Sequence, residues 1–488
     1  QTNHWYQAFN VYGDYMLDIA DHQIKIMAGY NYETKRLKDI KVSRQGLLSD
    51  DLNDLNLAVG DAMTMSGGQN EYALLGAFYR LNYSYKGGRY LFETSGRYDG
   101  SSRFRSGHRF GFFPSASVGW RISEEPFFGN LKKNIDNVKL RLSYGSLGNQ
   151  QVGYYDYIQT INTNGTMNYI FGDQKKGSYA SVSDPNSADL TWETVSTWNV
   201  GLDLGFLNNR LNLTADAYVR DTKGMQTSGK KLPGAYGANE PKQNAANLRT
   251  KGWELMLTWN DAFKLANKPF RYNLSVGLAD NTSEITKFDN PSKILSDYYV
   301  GQKLGDIWGY VVDGLFRTDE EAANYNVDQT AVNFVINTAQ VNPGLHAGDM
   351  KFVDLDGDHT ISSGSNTADD PGDRKIIGNS LPRYTYSIQG GFDWYGFDFS
   401  IYLQGVGHQD WYPGTNSVFF WGPYARPYSS FIPRDFLSQV WSPENPDAYF
   451  PRPIGYLALG NNRSLGVVND RYLQNLAYCR VKNITVGY

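Results

Sequence analysis

The residues with the clearest capacity for chemistry form an acidic motif, DLDGDHTIS, over residues 354–362. Oxygen donors at every second residue can wrap around a hard cation, as they do in the EF-hand loop. Asp354, Asp356 and Asp358 would stand at positions one, three and five of such a loop, and the carbonyl group of Thr360 at position seven. This spacing is typical of a Ca²⁺ or Mg²⁺ site.

The motif departs from the EF-hand pattern at two positions. His359 replaces the usual glycine at position six, and Ser365 stands where an acid should close the site. A later carboxylate could supply the missing ligand, and the candidates are Asp369, Asp370 and Asp373. The sequence thus predicts either a Ca²⁺ or Mg²⁺ ion in the 354–373 loop or an acidic turn that faces water. Neither interpretation requires a cofactor.

A second group of candidates consists of aromatic side chains in two long connecting segments. They are Trp308 and Tyr310 in the first segment, and Trp411, Tyr412, Phe419, Phe420, Trp421, Tyr424 and Tyr428 in the second. Rings exposed on loops can stack on sugar faces or grip peptide side chains. The alternative is that the rings pack against one another and hold the long loops in place. We expect one or two of them to contact a ligand.

Other common catalytic and metal-binding arrangements have no support in the sequence. The histidines lie far apart and form no HExxH pair. They are His4, His22, His108, His346, His359 and His408. The single cysteine, Cys479, excludes an intrachain disulfide and a cysteine-rich metal site. A formal net charge of −4 gives no indication of nucleic-acid binding. We therefore predict neither an enzyme nor a nucleic-acid partner.

The two groups of candidates flank a stretch of alternating residues, 381–405. From Tyr384 to Trp394 the even-numbered positions are mostly apolar and the odd-numbered positions mostly polar. Tyr395-Gly396 suits a two-residue hairpin turn, which needs positive φ, and the alternation resumes at Phe397. Successive side chains of a strand point to opposite faces. The stretch is therefore predicted to be a hairpin with one apolar face and one polar face.

The same two-residue period recurs about thirteen times, which predicts an all-β architecture. The runs form six pairs and one further run without a neighbouring partner. They are Tyr6–Ala20 with Gln23–Arg36, Glu71–Tyr85 with Arg89–Gly100, His108–Ile122 with Asn137–Gly145, Glu193–Leu207 with Arg210–Asp221, Arg249–Asn260 with Phe270–Ile285, the hairpin above, and Arg471–Tyr488.

The connections between the runs alternate in length. Links within the pairs are short, whereas the links between pairs are mostly long: 37–70, 101–107, 146–192, 222–248, 286–381 and 406–470. Outer-membrane barrels show this alternation because short turns face the periplasm and long loops face outside. The runs are also at least as long as the roughly 9–11 residues that cross a bilayer. The pattern favours a transmembrane antiparallel β-barrel over a soluble β-sandwich or propeller.

The composition agrees with a membrane barrel. Aromatic residues make up 15% of the chain, and Tyr and Trp suit interfaces between water and lipid or sugar. No apolar run approaches the roughly 18 residues of a membrane helix, which excludes helical spans only. Charges on the polar side of the runs are typical of a wet lumen wall. They include Arg80, Glu93, Arg97, Lys139, Arg141, Asp216 and Arg220.

Many segments resemble the SusC/RagA-type TonB-dependent transporters of the Gram-negative outer membrane. Among them are RYLFETSGRYDGSSRF (89–104), FGFFPSASVGWRISEEPFF (110–128), VGQKLGDIWGYVVDGLF (300–316) and RYLQNLAYCRVKNITVGY (471–488). They occur in the family's order from residue 71 onward. Related transporters also carry a DxDGD-type loop that ends in Asp-Arg, which Asp373-Arg374 matches.

The resemblance implies a multi-pass barrel of about 22 strands whose lumen holds an N-terminal plug domain. Residues 1–488 would all belong to the barrel domain. The implied partners are the plug, TonB through the N-terminal region, the lipid bilayer, and a SusD-like lipoprotein that contacts the long loops. We expect the plug and the last strands to lie outside this sequence, because no signal peptide opens it and Tyr488 ends it within a run.

The function that the resemblance implies is TonB-dependent import of an oligomeric nutrient, an oligosaccharide or a peptide, across the outer membrane. Two alternatives stay open at this stage. One is an outer-membrane β-barrel enzyme, such as a protease or lipase, and the other is a soluble carbohydrate-binding β protein. The motifs report architecture and leave the choice between glycan and peptide open.

Overall fold

A computed structural model of the chain describes all residues except 50, 52–53, 62, 171–175, 188, 230–232, 334–343, 426–431 and 461–462. The chain divides into two compact units, Gln1–Lys251 and Gly252–Tyr488. The predicted all-β class is confirmed, because the main element is an antiparallel sheet of 13 strands.

The sheet strands follow one another in chain order. They are β1 (Thr2–Ile19), β2 (His22–Arg44), β3 (Met63–Tyr85), β4 (Tyr90–Ser101), β5 (Phe110–Arg121), β6 (Ile135–Asn149), β7 (Glu193–Phe206), β8 (Leu211–Ser228), β9 (Lys242–Leu265), β10 (Lys268–Lys287), β11 (Arg383–Trp394), β12 (Phe397–His408) and β13 (Tyr478–Gly487). Their lengths run from 10 to 24 residues. Even the shortest is therefore long enough to cross a bilayer.

The register of the first unit separates apolar from polar side chains. Tyr83, Phe92, Val118, Leu142 and Val200 stand opposite one another across β3, β4, β5, β6 and β7. The row one residue away is polar and consists of Asn82, Glu93, Ser117, Ser143 and Asn199. Adjacent residues of a strand point to opposite faces, so the sheet has an apolar face and a polar face. The predicted alternation is confirmed.

The hairpin of β11 and β12 has the predicted register. Ile388 stands opposite Leu403, and the neighbouring Ser387 stands opposite Gln404. The turn uses Tyr395 with φ 50° and Gly396 with φ 88°. Positive φ at both central residues matches the right-handed twist of the flanking strands.

The last run differs from the prediction. The strand begins at Tyr478 rather than at Arg471, and it pairs with β12 instead of standing alone. Tyr472 is fully buried among residues of the connecting segments. The start of the run therefore packs into a loop core, and only its second half joins the sheet.

The connections contain small elements of their own. Within the described residues, four two-stranded sheets pair Ile161–Ile170 with Lys176–Val182, Asp306–Tyr310 with Arg374–Asn379, Val312–Leu315 with Met350–Phe352, and Asp410–Trp411 with Gln474–Asn475. The α-helices are Asp319–Ala323, Thr330–Asn333, Val418–Trp421 and Phe436–Gln439. The 3₁₀ helices are Leu55–Leu57, Ile122–Glu124, Pro126–Phe128, Leu131–Lys133, Gly234–Tyr236, Gly422–Tyr424 and Tyr456–Leu459. Among the described residues, no helix has the length and apolar character needed to cross a membrane.

Candidate functional site

The candidate aromatic and acidic residues lie in one loop assembly, which we define as residues 288–382 and 409–477. The first segment connects β10 to β11, and the second connects β12 to β13. The assembly has its own hydrophobic core. Its buried members are Tyr310, Leu315, Val332, Met350, Phe352, Ile361, Trp421, Tyr424, Ala425, Phe436, Val440, Phe450, Ala458, Leu459, Leu465, Val467 and Tyr472. The two segments therefore fold together rather than extending as separate loops.

Several of the predicted ligand-binding rings lie inside this core. Trp421 is 0% exposed, Tyr424 is 1% exposed and Tyr310 is 7% exposed. The ring of Trp421 packs edge-on against Phe420 at 4.9 Å and against Tyr472 at 5.3 Å between centroids. Its indole N–H donates a hydrogen bond to the carbonyl oxygen of Gly414 at 3.0 Å. Rings packed in this way stabilise the loops and have no surface left for a ligand in this conformation.

Tyr424, which is buried, and Tyr412, which is partly buried against the core, both have partners for their hydroxyl groups. Tyr412 donates to the carbonyl oxygen of Val467 at 2.8 Å, and Tyr424 donates to that of Pro451 at 2.6 Å. Burial in apolar surroundings raises the pKa of both Tyr412 and Tyr424 far above its usual value. Both side chains therefore stay neutral and hold the two chain segments together.

Two predicted rings are exposed to solvent in this structure. Phe419 is 79% exposed and Trp411 is 40% exposed. Trp308 is partly buried in a small sheet, opposite Ile376. Tyr428 lies outside the described residues. Contact between these rings and a ligand stays a prediction, and Phe419 and Trp411 have the most surface for it.

Four aromatic members of the core were absent from the predicted group, namely Phe352, Phe436, Phe450 and Tyr472. Phe436, Phe450 and Tyr472 each pack against Tyr424 or Trp421. The last three come from later parts of the chain, and no local pattern in the sequence connects them to the 411–424 stretch.

The acidic motif brings together three of its predicted ligands. Single carboxylate oxygens of Asp354, Asp356 and Asp373 lie within 4.8 Å of one another. Asp373 is fully buried, and its carboxylate accepts hydrogen bonds from the N–H groups of Leu355 and Ser362, both at 2.7 Å. Of the three later acids that were candidates, Asp373 is the one that lies beside Asp354 and Asp356.

The other predicted ligands have different roles in the loop. Asp369 pairs with Lys293 at 2.7 Å, and Asp370 accepts hydrogen bonds from the N–H and the hydroxyl of Ser365. Asp358 accepts a hydrogen bond from the N–H of Thr360 at 2.7 Å. Within the described part of the chain, the carboxylates of Asp358, Asp369 and Asp370 do not join the group formed by Asp354, Asp356 and Asp373.

The backbone of the motif explains one departure from the EF-hand pattern. His359 has φ 63°, the left-handed conformation that usually selects glycine at this position. Its N–H donates to a carboxylate oxygen of Asp354 at 2.9 Å, and the N–H of Gly357 donates to the other at 2.6 Å. Desolvation acts to raise the pKa of Asp354, but these backbone donors hold it below its usual value.

The neighbouring carboxylate has the opposite shift. The N–H of Asp358 acts to lower the pKa of Asp356, but desolvation and the nearby negative charges of Asp373, Asp358 and Asp354 raise it overall. Three carboxylates that repel one another fit a hard divalent cation, because oxygen ligands and negative charge are what Ca²⁺ and Mg²⁺ prefer. Cation binding in this loop stays a prediction from the sequence.

This prediction can be tested by calorimetric titration with Ca²⁺ and Mg²⁺. We expect one site whose affinity falls by more than about tenfold in Asp356→Ala, because a charged ligand and its contribution to the local negative potential are lost. Asp369→Ala is the matched control, since Asp369 is paired with Lys293 outside the group. Equal affinities in both variants and the unchanged protein would contradict the assignment.

The polar face of the first unit carries the predicted lumen charges in ion pairs. Arg80 contacts Glu93 at 2.7 Å, and Arg141 contacts both Asp203 and Asp216 at 3.0 and 2.9 Å. The remaining charges also lie beside polar or aromatic neighbours. Arg97 contacts Asp99, Lys139 stands opposite Asp203, and Arg220 lies over the ring of Tyr218. The ion pairs of Arg80 and Arg141 join neighbouring strands, which fits the structural role expected for a wet wall.

Comparisons with known proteins agree with this geometry. The sequence matches the family described as TonB dependent receptor-like, beta-barrel over residues 1–429. TonB-dependent receptor SusC of Bacteroides thetaiotaomicron is 31% identical over 85% of the chain and 38% of its own length. TonB-dependent receptor P3 of Formosa agariphila is 26% identical over 98% of the chain and 44% of its own length. The chain therefore spans less than half the length of these curated relatives.

Solved structures show the same fold. The RagAB peptide importer in its open-open state superposes with a TM-score of 0.76, covering 99% of this chain and 48% of that one at 21% sequence identity. A structure of the RagAB peptide transporter gives a TM-score of 0.73 at 21% identity, with 99% and 49% covered. At this identity the likeness concerns the fold alone.

Proposed function

Because the chain belongs to the TonB-dependent receptor-like β-barrel family, we propose that it contributes barrel strands and outer loops to an outer-membrane importer of an oligomeric nutrient. The family is one of outer-membrane receptors and transporters rather than enzymes. The nutrient would be an oligosaccharide or a peptide. TonB would supply the energy by acting on a plug domain, and a SusD-like lipoprotein would close over the loops.

The observation that carries this proposal is the exposed apolar face of the sheet. Val118, Leu142 and Val200 stand side by side across neighbouring strands and are 47%, 42% and 51% exposed. A contiguous apolar surface of this extent needs a partner, and a sheet of strands long enough to cross a bilayer finds it in lipid. The polar ion-paired face would then line the interior.

The loop assembly suits the proposed role in binding cargo and lipoprotein. Its core holds the backbone in place, so that exposed rings such as Phe419 and Trp411 have fixed positions on the surface. A preorganised surface loses less conformational entropy when a partner binds. Amphipathic aromatic rings can stack on either sugars or peptide side chains, so these two rings are compatible with both classes of cargo.

The proposal can be tested by purifying the protein from outer membranes in detergent and measuring intact complexes by native mass spectrometry. We expect the mass of a co-purified lipoprotein and of a bound oligomer, whose fragmentation would distinguish sugar from peptide. Purification without detergent would favour the soluble carbohydrate-binding alternative and would contradict a membrane barrel.

The enzyme alternative has a separate test. Among the residues that the structure describes, no histidine nitrogen is hydrogen-bonded to a serine hydroxyl, although His408 lies 3.0 Å from Asp410. We expect the pure protein to show no hydrolysis of generic esters or peptides above a His408→Ala control. Hydrolysis that disappears in this variant would overturn the transporter assignment.

Charges placed on the two faces of β11 should have opposite consequences. We expect Ile388→Lys, on the apolar face, to weaken folding into lipid vesicles by about 2–4 kcal/mol if it lies near the bilayer midplane. Ser387→Lys places the same charge on the polar face one residue away and should fold nearly as well as the unchanged protein. The measurement is the free energy of folding into vesicles from urea. Equal losses in both variants would contradict the assignment of the faces.

A further inference from the structure

The connection between β5 and β6, residues 122–134, carries an exposed apolar surface that import does not use. It contains three short 3₁₀ helices, Ile122–Glu124, Pro126–Phe128 and Leu131–Lys133. Phe128 is buried at 5% exposure, whereas Phe127 is 68% exposed and Leu131 is 54% exposed. The turn therefore buries Phe128 and leaves Phe127 and Leu131 exposed.

Hydrogen bonds place this turn on the apolar side of the sheet. The carboxylate of Glu125 is largely buried and accepts hydrogen bonds from the indole N–H of Trp120, at 3.0 Å, and from the hydroxyl of Tyr90. Trp120 and Tyr90 stand opposite each other across β4 and β5, two residues along from the apolar pair of Phe92 and Val118. Both rings therefore point to the apolar face, and the turn that carries Glu125 folds against that side.

Charged side chains lie in the same turn as the exposed apolar residues. Arg89 lies 3.4 Å from the carboxylate of Glu125, and Lys132 lies 3.5 Å from that of Glu124. Lys133 is exposed, and no carboxylate within the described ranges is close enough to form an ion pair with it. The turn therefore presents Phe127 and Leu131 next to one free cation and one weakly paired cation.

We propose that residues 126–133 form a lipid-docking surface that inserts Phe127 and Leu131 into the lipid–water boundary of the periplasmic leaflet, with Lys132 and Lys133 on phospholipid phosphates. The proposal rests on the proposed function, because it requires the apolar face of the sheet to lie in the outer membrane. The surface adjoins that face, because Glu125 at the start of the same turn is hydrogen-bonded to Trp120 and Tyr90, two residue types that concentrate at the boundary. Lysine beside an aromatic anchor is the composition of interfacial lipid-binding segments.

The orientation of the turn follows from the same architecture. In outer-membrane barrels the short connections face the periplasm. The 122–134 connection is one of the short links between paired strands, so its cations face the phospholipid leaflet. Apolar side chains at this depth would anchor the lower rim of the barrel against vertical movement when force is applied from the periplasm.

The test is depth-dependent fluorescence quenching of the full chain in phospholipid vesicles. In a Cys479→Ser background, single cysteines at Phe127, Leu48 and Val118 are labelled with an environment-sensitive fluorophore. Leu48 is the matched control, because it is apolar and 67% exposed but lies beyond the end of the 23-residue strand β2. We expect the label at Phe127→Cys to be quenched by nitroxides near the headgroup, and the label at Leu48→Cys to be unaffected.

The label at Val118→Cys separates the two possible failures. It should be quenched by nitroxides deep in the acyl chains, since Val118 lies on the apolar face. If Val118→Cys is not quenched, the membrane assignment itself is wrong. If Val118→Cys is quenched but Phe127→Cys behaves like Leu48→Cys, the docking surface is refuted and the transport proposal stands.

The role of the cations is tested with anionic nitroxide lipid. A basic residue near an anionic surface contributes roughly a fivefold preference for anionic over zwitterionic lipid. The measured quantity is the ratio of quenching by anionic nitroxide lipid to quenching by zwitterionic nitroxide lipid at the Phe127→Cys label. We expect Lys133→Gln to lower this ratio by about that factor. Lys132→Gln should have a smaller effect, because Lys132 is already paired with Glu124. An unchanged ratio in the Lys132→Gln/Lys133→Gln double variant would overturn the assignment of the phosphate contacts.

Discussion

In the Trp421→Ala variant we expect the loop assembly to lose most of its protection against amide hydrogen exchange, while the sheet stays folded. Trp421 is fully buried and packs edge-on against Phe420 and Tyr472. Its indole N–H donates a hydrogen bond to the carbonyl oxygen of Gly414. Truncating a buried tryptophan to alanine costs about 3–5 kcal/mol, because apolar contacts are lost and a cavity remains. Hydrogen exchange of the amides over 436–472 should therefore accelerate by at least about a hundredfold.

Phe419 provides the matched control, because it is the preceding aromatic residue of the same short helix but is 79% exposed. Phe419→Ala should change the stability of the loops by no more than about 0.5 kcal/mol. The two variants also separate stability from ligand contact. If Phe419→Ala weakens cargo binding while exchange is unchanged, the ring contacts cargo directly. Equal exchange rates in Trp421→Ala and the unchanged protein would mean that the core does not hold the loops.

The second large effect is expected for Arg452→Ala in the same assembly. The guanidinium group of Arg452 contacts Asp349 at 2.6 and 3.3 Å, and the Asp349 side chain is only 3% exposed. In Arg452→Ala the Asp349 carboxylate would keep the N–H of His346 as a donor, at 3.0 Å, but it would lose the opposite charge. Breaking a buried pair in this way costs about 3–5 kcal/mol. We expect a loss of this size in the free energy of loop opening, measured by hydrogen exchange over 344–353.

Arg317→Ala is the control for this variant. Arg317 also pairs with an aspartate, Asp447, at 2.7 Å, but the two side chains are 64% and 77% exposed. Exposed pairs contribute less than about 1 kcal/mol, because water and salt screen the charges. The Arg452→Ala/Asp349→Ala double variant should recover part of the loss, since the buried charge is then removed as well. Equal losses of loop stability in Arg317→Ala and Arg452→Ala would show that burial does not determine how much each ion pair contributes.

The two effects have a common consequence for import. The proposed lipoprotein and cargo contacts lie on loops that are fixed by a core of aromatic side chains and by a buried ion pair. Loss of either should lower uptake without any change at a ligand-contacting residue. An uptake defect in Trp421→Ala is therefore to be compared with loop exchange before it is attributed to ligand contact.

The sequence by itself determined the sheet and its two faces. A strand reverses its side-chain direction at every residue, so the alternation of apolar and polar residues is a local property that can be counted along the chain. The same is true of the Tyr395-Gly396 turn and of the short helix Asp319–Ala323, where the hydroxyl of Thr318 accepts a hydrogen bond from the N–H of Glu321 at 3.1 Å. These features depend on neighbours within a few residues.

Only the tertiary structure decided which candidate side chains are buried and which acids meet. Phe419 and Trp421 are alike in type and stand two positions apart, yet one is exposed and the other lies in the core. The ring of Trp421 packs against Tyr472, which comes from a distant part of the chain. Asp373 joins Asp354 and Asp356 while Asp369 and Asp370 do not, because the backbone N–H groups of Leu355 and Ser362 hold its carboxylate. Contacts of this kind depend on how the segments pack, and spacing along one segment does not encode them.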